Sequence, residues 1–134
     1  MNGAGMVLAD TSVWVRYFRD GQGAEAKVLS DLLTADRVVL CGPVMVEILS
    51  GTKDHARYEM LSELLSALPL LEPGPGVWEK LAAARFALAR RGVQQSLVDL
   101  WIALVAHDHD ACVWTLDRDV DRIARVIPFK TFMK

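Results

Sequence analysis

Five carboxylates stand where this sequence predicts the ends of buried strands or the first turns of helices, and such side chains can hold a divalent cation. They are Asp10, Glu47, Asp99, Asp117 and Asp119. An isolated carboxylate in an apolar setting is costly, and several that converge repel one another and resist ionisation. Arg118 is the one basic residue adjacent to any of them in the sequence. A hard divalent cation is the expected partner, because Mg²⁺ and Mn²⁺ prefer carboxylate oxygens and water.

A cation held by carboxylates suits the hydrolysis of a phosphodiester bond. The metal lowers the pKa of a bound water, polarises the phosphoryl oxygens and stabilises the leaving oxygen. It would also attract phosphate to a chain whose formal net charge of −2 indicates no broadly basic surface for nucleic acid. The carboxylates therefore predict a metal-dependent nuclease, in which one of the acids could instead serve as general base for the attacking water.

Three of these carboxylates also have a purely structural explanation. Asp10 fits an N-cap for the helix that follows it, and Glu47 fits the rim of its own helix. Asp99 fits a capping box, because Ser96 stands three residues before it. Asp99 is nevertheless the only polar residue within Leu97–Ala106, and a helix that is apolar all round is a buried one. A carboxylate on such a helix needs a partner.

The elements that must position these side chains alternate between short apolar strands and helices. Strands are predicted at Met6–Ala9, Val38–Cys41, Leu70–Leu71, Cys112–Thr115 and Ile127–Phe129. Helices are predicted at Ser12–Phe18, Ala24–Thr34, Pro43–Leu49, Asp54–Leu68, Val77–Arg91, Ser96–His107 and Val120–Val126. This alternation predicts an α/β fold with a mainly parallel sheet. We expect the five carboxylates to meet at one edge of it, where the strands end and the following helices begin.

Length and composition fit one globular domain. The chain has 134 residues, of which 52% are hydrophobic and 24% charged, a balance typical of folded proteins. Residues 1–5 are predicted to be a loose tail and residues 6–134 the domain. The longest apolar run, Leu100–Ala106, is far shorter than the roughly 20 residues of a membrane span, and the first residues do not resemble a signal peptide, so we expect a cytoplasmic protein. Cys41 and Cys112 lie in apolar runs and are expected to be reduced core residues.

Four segments resemble, in order and spacing, the motifs of PIN-domain ribonucleases, and most nearly those of the VapC toxins of bacterial type II toxin–antitoxin pairs. The segments are LADTSVWV, VMVEILSG, GVQQSLVDLWIALVA and VWTLDRDVDRIA. The resemblance covers nearly the whole chain. It implies a single-domain α/β/α sandwich around a mainly parallel sheet, and hydrolysis of RNA with Mg²⁺ or Mn²⁺ held by acidic residues.

The resemblance assigns roles to residues of this chain. The family's catalytic and metal-binding acids fall on Asp10, Glu47, Asp99 and Asp117, with Asp119 as an auxiliary acid. Hydroxyl groups that orient ligands or metal-bound water fall on Thr11, Ser12 and Thr115. Helix capping explains Thr11 and Ser12 equally well.

The resemblance also implies partners besides RNA. VapC-type toxins are neutralised by a small VapB-type antitoxin whose C-terminal segment wraps the toxin, often with a basic residue in the acidic pocket. The amphipathic helices predicted at Ala24–Thr34 and Asp54–Ala67 could supply a groove for it, although their apolar stripes could equally face the core. A homodimer is the family norm.

Three other interpretations compete with this one. The run His107–Asp110 has the composition of a metal site, yet histidines at a helix C-terminus are favourable through the helix dipole alone. A receiver-like phosphoacceptor domain is also a small parallel α/β protein, but its middle strand would have to be followed by an aspartate, and this chain offers Glu72. A PIN scaffold that only binds a partner is the third interpretation.

Overall fold

In the computed structural model, which describes residues 5–132, four short parallel strands form one sheet. They are β1 (Val7–Ala9), β2 (Val38–Val39), β3 (Cys112–Trp114) and β4 (Lys130–Thr131). Their spatial order is β2-β1-β3-β4. Strand β1 is central, and Ala9 at its end pairs with Trp114 at the end of β3. The carboxyl ends of β1 and β3 therefore lie side by side, directly before Asp10 and Thr115.

Seven helices surround this sheet within the described residues. They are α1 (Thr11–Arg19), α2 (Ala24–Thr34), α3 (Gly42–Ser50), α4 (His55–Ser66), α5 (Val77–Arg90), α6 (Leu97–His109) and α7 (Asp121–Ala124). A 3₁₀ turn, Arg118–Val120, precedes α7. The boundary of α2 matches the prediction, and those of α1, α3 and α5 differ from it by one residue. This architecture confirms the α/β/α sandwich with a parallel sheet.

Buried side chains form two apolar clusters, and α6 contributes to both. The first cluster packs the sheet against α1 to α4 and includes Ile102 and Val105 of α6. The second packs α5, α7 and the segment after α7 around Leu100 and Leu104 of α6. The prediction that α6 is a buried helix is therefore confirmed. Because α6 is held by both clusters, the position of Asp99 in its first turn is also fixed.

The predicted last strand is misplaced. Ile127 is 5% exposed and packs in the second cluster, and its backbone N–H bonds the carbonyl of Ile123 at 2.9 Å. Ile127 is therefore a core residue just after α7 and not part of a strand. The strand forms instead at Lys130 and Thr131, which pair with Cys112 and Val113 of β3. An edge strand of this kind depends on main-chain hydrogen bonds, so an apolar pattern does not locate it.

Other elements also differ from the prediction: α4 ends at Ser66 instead of Leu68, and β2 ends at Val39 instead of Cys41. The segment Leu70–Leu71 forms a single bridge from Leu70 to Leu40 rather than a strand. The helix predicted at Val120–Val126 is shorter. Helix α7 spans Asp121–Ala124, and Val120 belongs to the 3₁₀ turn before it. Helix α6 continues to His109 and ends at Asp110, whose φ of 57° is left-handed.

The two cysteines are free, Cys41 buried and Cys112 half-buried, as expected for reduced thiols. Burial raises the pKa of the Cys41 thiol to about 11. No helix within residues 5–132 is long and apolar enough to cross a membrane. The predicted tail at residues 1–5 lies outside the described residues except for Gly5.

Candidate active site

Asp10 follows β1 and is the N-cap of α1. Its carboxylate accepts a hydrogen bond from the backbone N–H of Val13 at 3.3 Å, so the capping interpretation is correct for this residue. The Ser12 hydroxyl also donates to the Asp10 carboxylate. Burial raises the pKa of Asp10, while hydrogen bonds from Ser12, Thr115 and the backbone act in the opposite direction. The carboxylate is thus partly desolvated and is held by neutral donors.

Ser12 connects the ends of the two central strands. Besides donating to Asp10, its oxygen accepts a hydrogen bond from the backbone N–H of Leu116 at 3.2 Å. Thr115, on the same loop after β3, accepts from the backbone N–H of Asp117 at 3.1 Å. These hydroxyls therefore fix the loop that carries Asp117 against the turn that carries Asp10.

Glu47 is tied to the same region through Thr11. The Thr11 hydroxyl donates to the Glu47 carboxylate at 2.6 Å, across 36 positions of the chain. Glu47 is exposed on α3, and it lines a groove between α1, α3 and α4 rather than the cavity described below.

Asp99 is held at both its backbone and its carboxylate. Its N–H donates to the hydroxyl of Ser96, the N-cap of α6, at 3.1 Å. Its carboxylate accepts from the side-chain amide of Gln95 at 2.6 Å. Among the described hydrogen bonds, the Ser96 half of the capping box is formed, and the Asp99 carboxylate bonds Gln95. The Gln95 oxygen in turn accepts from the guanidinium of Arg122 at 2.9 Å.

Asp117 and Asp119 lie on the turn after β3. The Asp117 carboxylate accepts from the backbone N–H of Asp119 at 2.9 Å and caps the 3₁₀ turn. Asp119 lies 3.8 Å from the guanidinium of Arg122, and its side chain is 69% exposed. Both residues are exposed, and only Asp117 lines the cavity described below.

Asp10, Asp99 and Asp117 line one small cavity, so residues from three separate segments meet as predicted. Its walls also include Ala103 and Thr115, and its volume is about 20 Å³, room for about one water molecule or ion. Glu47 and Asp119 are not among the residues that line this cavity.

The donor set of the cavity fits a hydrated hard cation. Among residues 5–132, no three His, Cys, Asp or Glu side chains lie close enough together to hold a metal directly. Mg²⁺ does not need such a cage, because it usually keeps several waters and binds through one or two carboxylates. The desolvated carboxylate of Asp10 and the small wall residue Ala103 are consistent with that arrangement.

Gln95 is the residue that sequence reasoning missed. It is 7% exposed and is the one buried polar or charged side chain of the described chain. The sequence signal for it is an amide side chain four positions before Asp99, directly before the predicted helix start at Ser96. Its contact with Arg122 spans 27 positions, which the spacing alone does not reveal.

The motif His107–Asp110 joins loops rather than forming a metal site. His107 bonds the carbonyl of Pro128 at 2.8 Å, and His109 bonds that of Glu72 at 2.6 Å. Asp108 accepts from the backbone N–H of Gly74 at 2.7 Å. Each side chain thus fixes a neighbouring connection to the end of α6.

Comparison with known proteins agrees with this geometry. The chain matches the PIN domain family over residues 7–126. It is 37% identical to Ribonuclease VapC11 of Mycobacterium tuberculosis over 125 residues, which are 90% of this chain and 93% of that protein. VapBC2 from Rickettsia felis, solved bound to a DNA fragment from its promoter, superposes over 95% of this chain and 97% of the matched chain with a TM-score of 0.73 and 18% identity. VapBC-1 from nontypeable Haemophilus influenzae superposes over 95% and 96% with a TM-score of 0.73 and 21% identity.

Proposed function

The chain belongs to the PIN-domain family, and we propose that it is a metal-dependent endoribonuclease of the VapC type, the toxin of a toxin–antitoxin pair. The observation that carries the proposal is the cavity at the carboxyl edge of the sheet, where Asp10, Asp99 and Asp117 meet. The name of the relative VapC11, a ribonuclease, supports RNA as the substrate. We further propose that the protein acts in the cytoplasm, where RNA is made.

Asp10 and Asp99 are the proposed core ligands of Mg²⁺ or Mn²⁺, and Asp117 and Glu47 complete the site by binding water molecules of the hydrated ion. When bound, such an ion supplies an activated water and stabilises the charge that develops on the phosphoryl oxygens. The chain's own contribution is orientation. Ser12 and Thr115 hold Asp10, and Thr11 holds Glu47 at 2.6 Å.

The groove beside Glu47 is the proposed binding site of a VapB-type antitoxin. Phe18, Ile48 and Leu61 give it apolar walls, while Lys53 and Arg57 add positive charge. It adjoins a second groove between α1, α2 and α4, lined by Tyr17, Met60 and Leu64. Met60 is 51% exposed and Leu64 37% exposed. An amphipathic segment would bury this apolar surface, and the similarity to the VapBC2 and VapBC-1 structures supports a VapB-type antitoxin as its source.

A homodimer is a further proposal. Trp78 and Phe86 on α5 are 63% and 66% exposed, and a second copy of the chain would bury such aromatic surface. Light scattering on the purified protein would test this directly, since a monomeric mass at micromolar concentration contradicts it.

The proposed activity is tested by incubating purified protein with an RNA pool in Mg²⁺, in Mn²⁺ and in EDTA. We expect cleavage with metal that EDTA stops and that Asp99→Asn removes. Asp31→Asn, which changes an exposed acid of α2, is the matched control and should cleave like the wild type. Thermal unfolding of each variant verifies that the loss is not one of folding.

A catalytically silent binding module is the second candidate function. It is favoured by the finding that, in the described part of the chain, no three possible ligands lie close enough to hold a metal directly. The same assay distinguishes the two functions, because a silent module leaves the RNA intact with every metal.

A further inference from the structure

We propose that Gln95 is a positioning residue that orients the Asp99 carboxylate for the metal and keeps the guanidinium of Arg122 away from it. The inference rests on the proposed function, since it assigns a supporting residue to the same site. Gln95 donates to Asp99 at 2.6 Å and accepts from Arg122 at 2.9 Å. A buried amide with two short hydrogen bonds to charged groups is held in one orientation.

The partners determine which end of the amide faces which group. A guanidinium has only donors, and an ionised carboxylate has only acceptors. The Gln95 oxygen must therefore face Arg122, and its nitrogen must face Asp99. A flipped amide would place donor against donor and acceptor against acceptor, so both hydrogen bonds would be lost.

An amide at this position preserves the charge of Asp99. A guanidinium that bonded Asp99 directly would neutralise it and compete with a divalent cation for the same oxygens. Gln95 occupies one carboxylate oxygen, Oδ2, with a neutral donor. Asp99 also lines the cavity, so a neutral donor on one oxygen leaves its charge available to an ion there.

The two hydrogen bonds that link Asp99, Gln95 and Arg122, here called the relay, also connect α6 with α7. Ser96 holds the backbone N–H of Asp99 at 3.1 Å, and Gln95 holds its carboxylate, so backbone and side chain are fixed by adjacent residues. Arg122 comes from α7, which is anchored in the second cluster by Ile123 at 3% exposure. The carboxylate orientation therefore depends on the packing of α7 against α6.

The test measures Mn²⁺ affinity by electron paramagnetic resonance and RNA cleavage at a series of Mn²⁺ concentrations. Gln95→Met keeps the volume and burial but removes both hydrogen bonds. We expect Mn²⁺ affinity to fall on the order of 10- to 100-fold, as for other residues that support metal ligands, and cleavage to recover at high Mn²⁺. Gln94→Met, at the exposed neighbouring position, should match the wild type. Asp99→Asn should not recover at any Mn²⁺ concentration.

The outcomes separate this role from a structural one and from failure of the proposed function. A Gln95→Met protein that melts earlier in EDTA yet binds Mn²⁺ like Gln94→Met would overturn the positioning role alone. A wild-type protein that binds no Mn²⁺ would overturn the positioning role and the proposed function together. If Gln95→Met does not fold, the Mn²⁺ affinity of Arg122→Met tests the proposal instead. Arg125→Met, at an exposed position, is its control. We expect Arg122→Met to bind Mn²⁺ several-fold more weakly than Arg125→Met, and equal affinities would refute the relay.

Discussion

Replacing Ser12 with alanine should loosen the joint between the two central strands and reduce activity. The hydroxyl donates to the Asp10 carboxylate and accepts from the backbone N–H of Leu116 at 3.2 Å. The second contact joins residues 104 positions apart. Ser12→Ala removes both hydrogen bonds and leaves the Leu116 N–H without this partner.

The size of the effect follows from the two bonds. A neutral hydrogen bond contributes about 0.5–1.5 kcal/mol net and one to a charged group about 1.5–3 kcal/mol. Because Ser12 is exposed, water replaces part of both, and we expect a loss of about 2 kcal/mol in the free energy of unfolding. For a domain of 134 residues this lowers the melting temperature by about 8 °C, at about 4 °C per kcal/mol.

The assay is thermal unfolding in EDTA, together with RNA cleavage in Mn²⁺ at a temperature where the variant is folded. Ser66→Ala is the matched control, because the Ser66 hydroxyl bonds the Glu63 carbonyl within α4 at 2.8 Å. Losing such a local bond should cost less than about 0.5 kcal/mol. The reasoning is refuted if Ser12→Ala melts together with Ser66→Ala, or if it cleaves RNA at the wild-type rate.

Two further predictions concern the thiol and the metal. The pKa of Cys41 is raised from 9.0 to about 11, so the unfolded chain ionises first as the pH rises. Its contribution to stability should be constant below about pH 9 and fall by about 1.4 kcal/mol per pH unit up to about pH 11. Urea unfolding of the wild type and Cys41→Ala across that range checks this, and equal slopes contradict it. Mn²⁺ at about 100 times its dissociation constant should stabilise the wild type by about 2.7 kcal/mol and Asp99→Asn by much less, and a wild-type melting temperature that Mn²⁺ leaves unchanged contradicts a site in the folded state.

Helices were predicted from the sequence more accurately than the last strand. Helix α2 is preceded by Gly23, and its apolar residues recur at helical spacing. Both features can be read from neighbouring residues in the sequence. The strand β4 has the pattern exposed then half-buried and pairs with β3 through its backbone, so neither period nor apolar content locates it. Ile127 carried the misleading signal, because its burial belongs to the packing after α7.

The candidate site divides in the same way. Strand ends and helix starts share one edge of a parallel sheet, and this rule predicts all five carboxylates there. Asp10, Asp99 and Asp117 line one cavity at that edge, whereas Glu47 and Asp119 do not line it. The contacts that orient them were not predictable. Thr11 reaches Glu47 across 36 positions, and Gln95 reaches Arg122 across 27. Which hydroxyl or amide meets which carboxylate depends on helix packing, and local patterns carry no information about that.

The donors that hold the site carboxylates are all neutral, and this has a consequence for the metal. Asp10 accepts from Ser12, Glu47 from Thr11, Asp99 from Gln95 and Asp117 from the backbone of Asp119. None of the ion pairs described for residues 5–132 involves these four carboxylates. Neutral donors fix a carboxylate without supplying a positive charge that would compete with a cation for it. A divalent cation meets Asp10, Asp99 and Asp117 together only in the folded state, where the three residues line one cavity. The hydrogen bonds that position the acids therefore also make folding and metal binding favour each other.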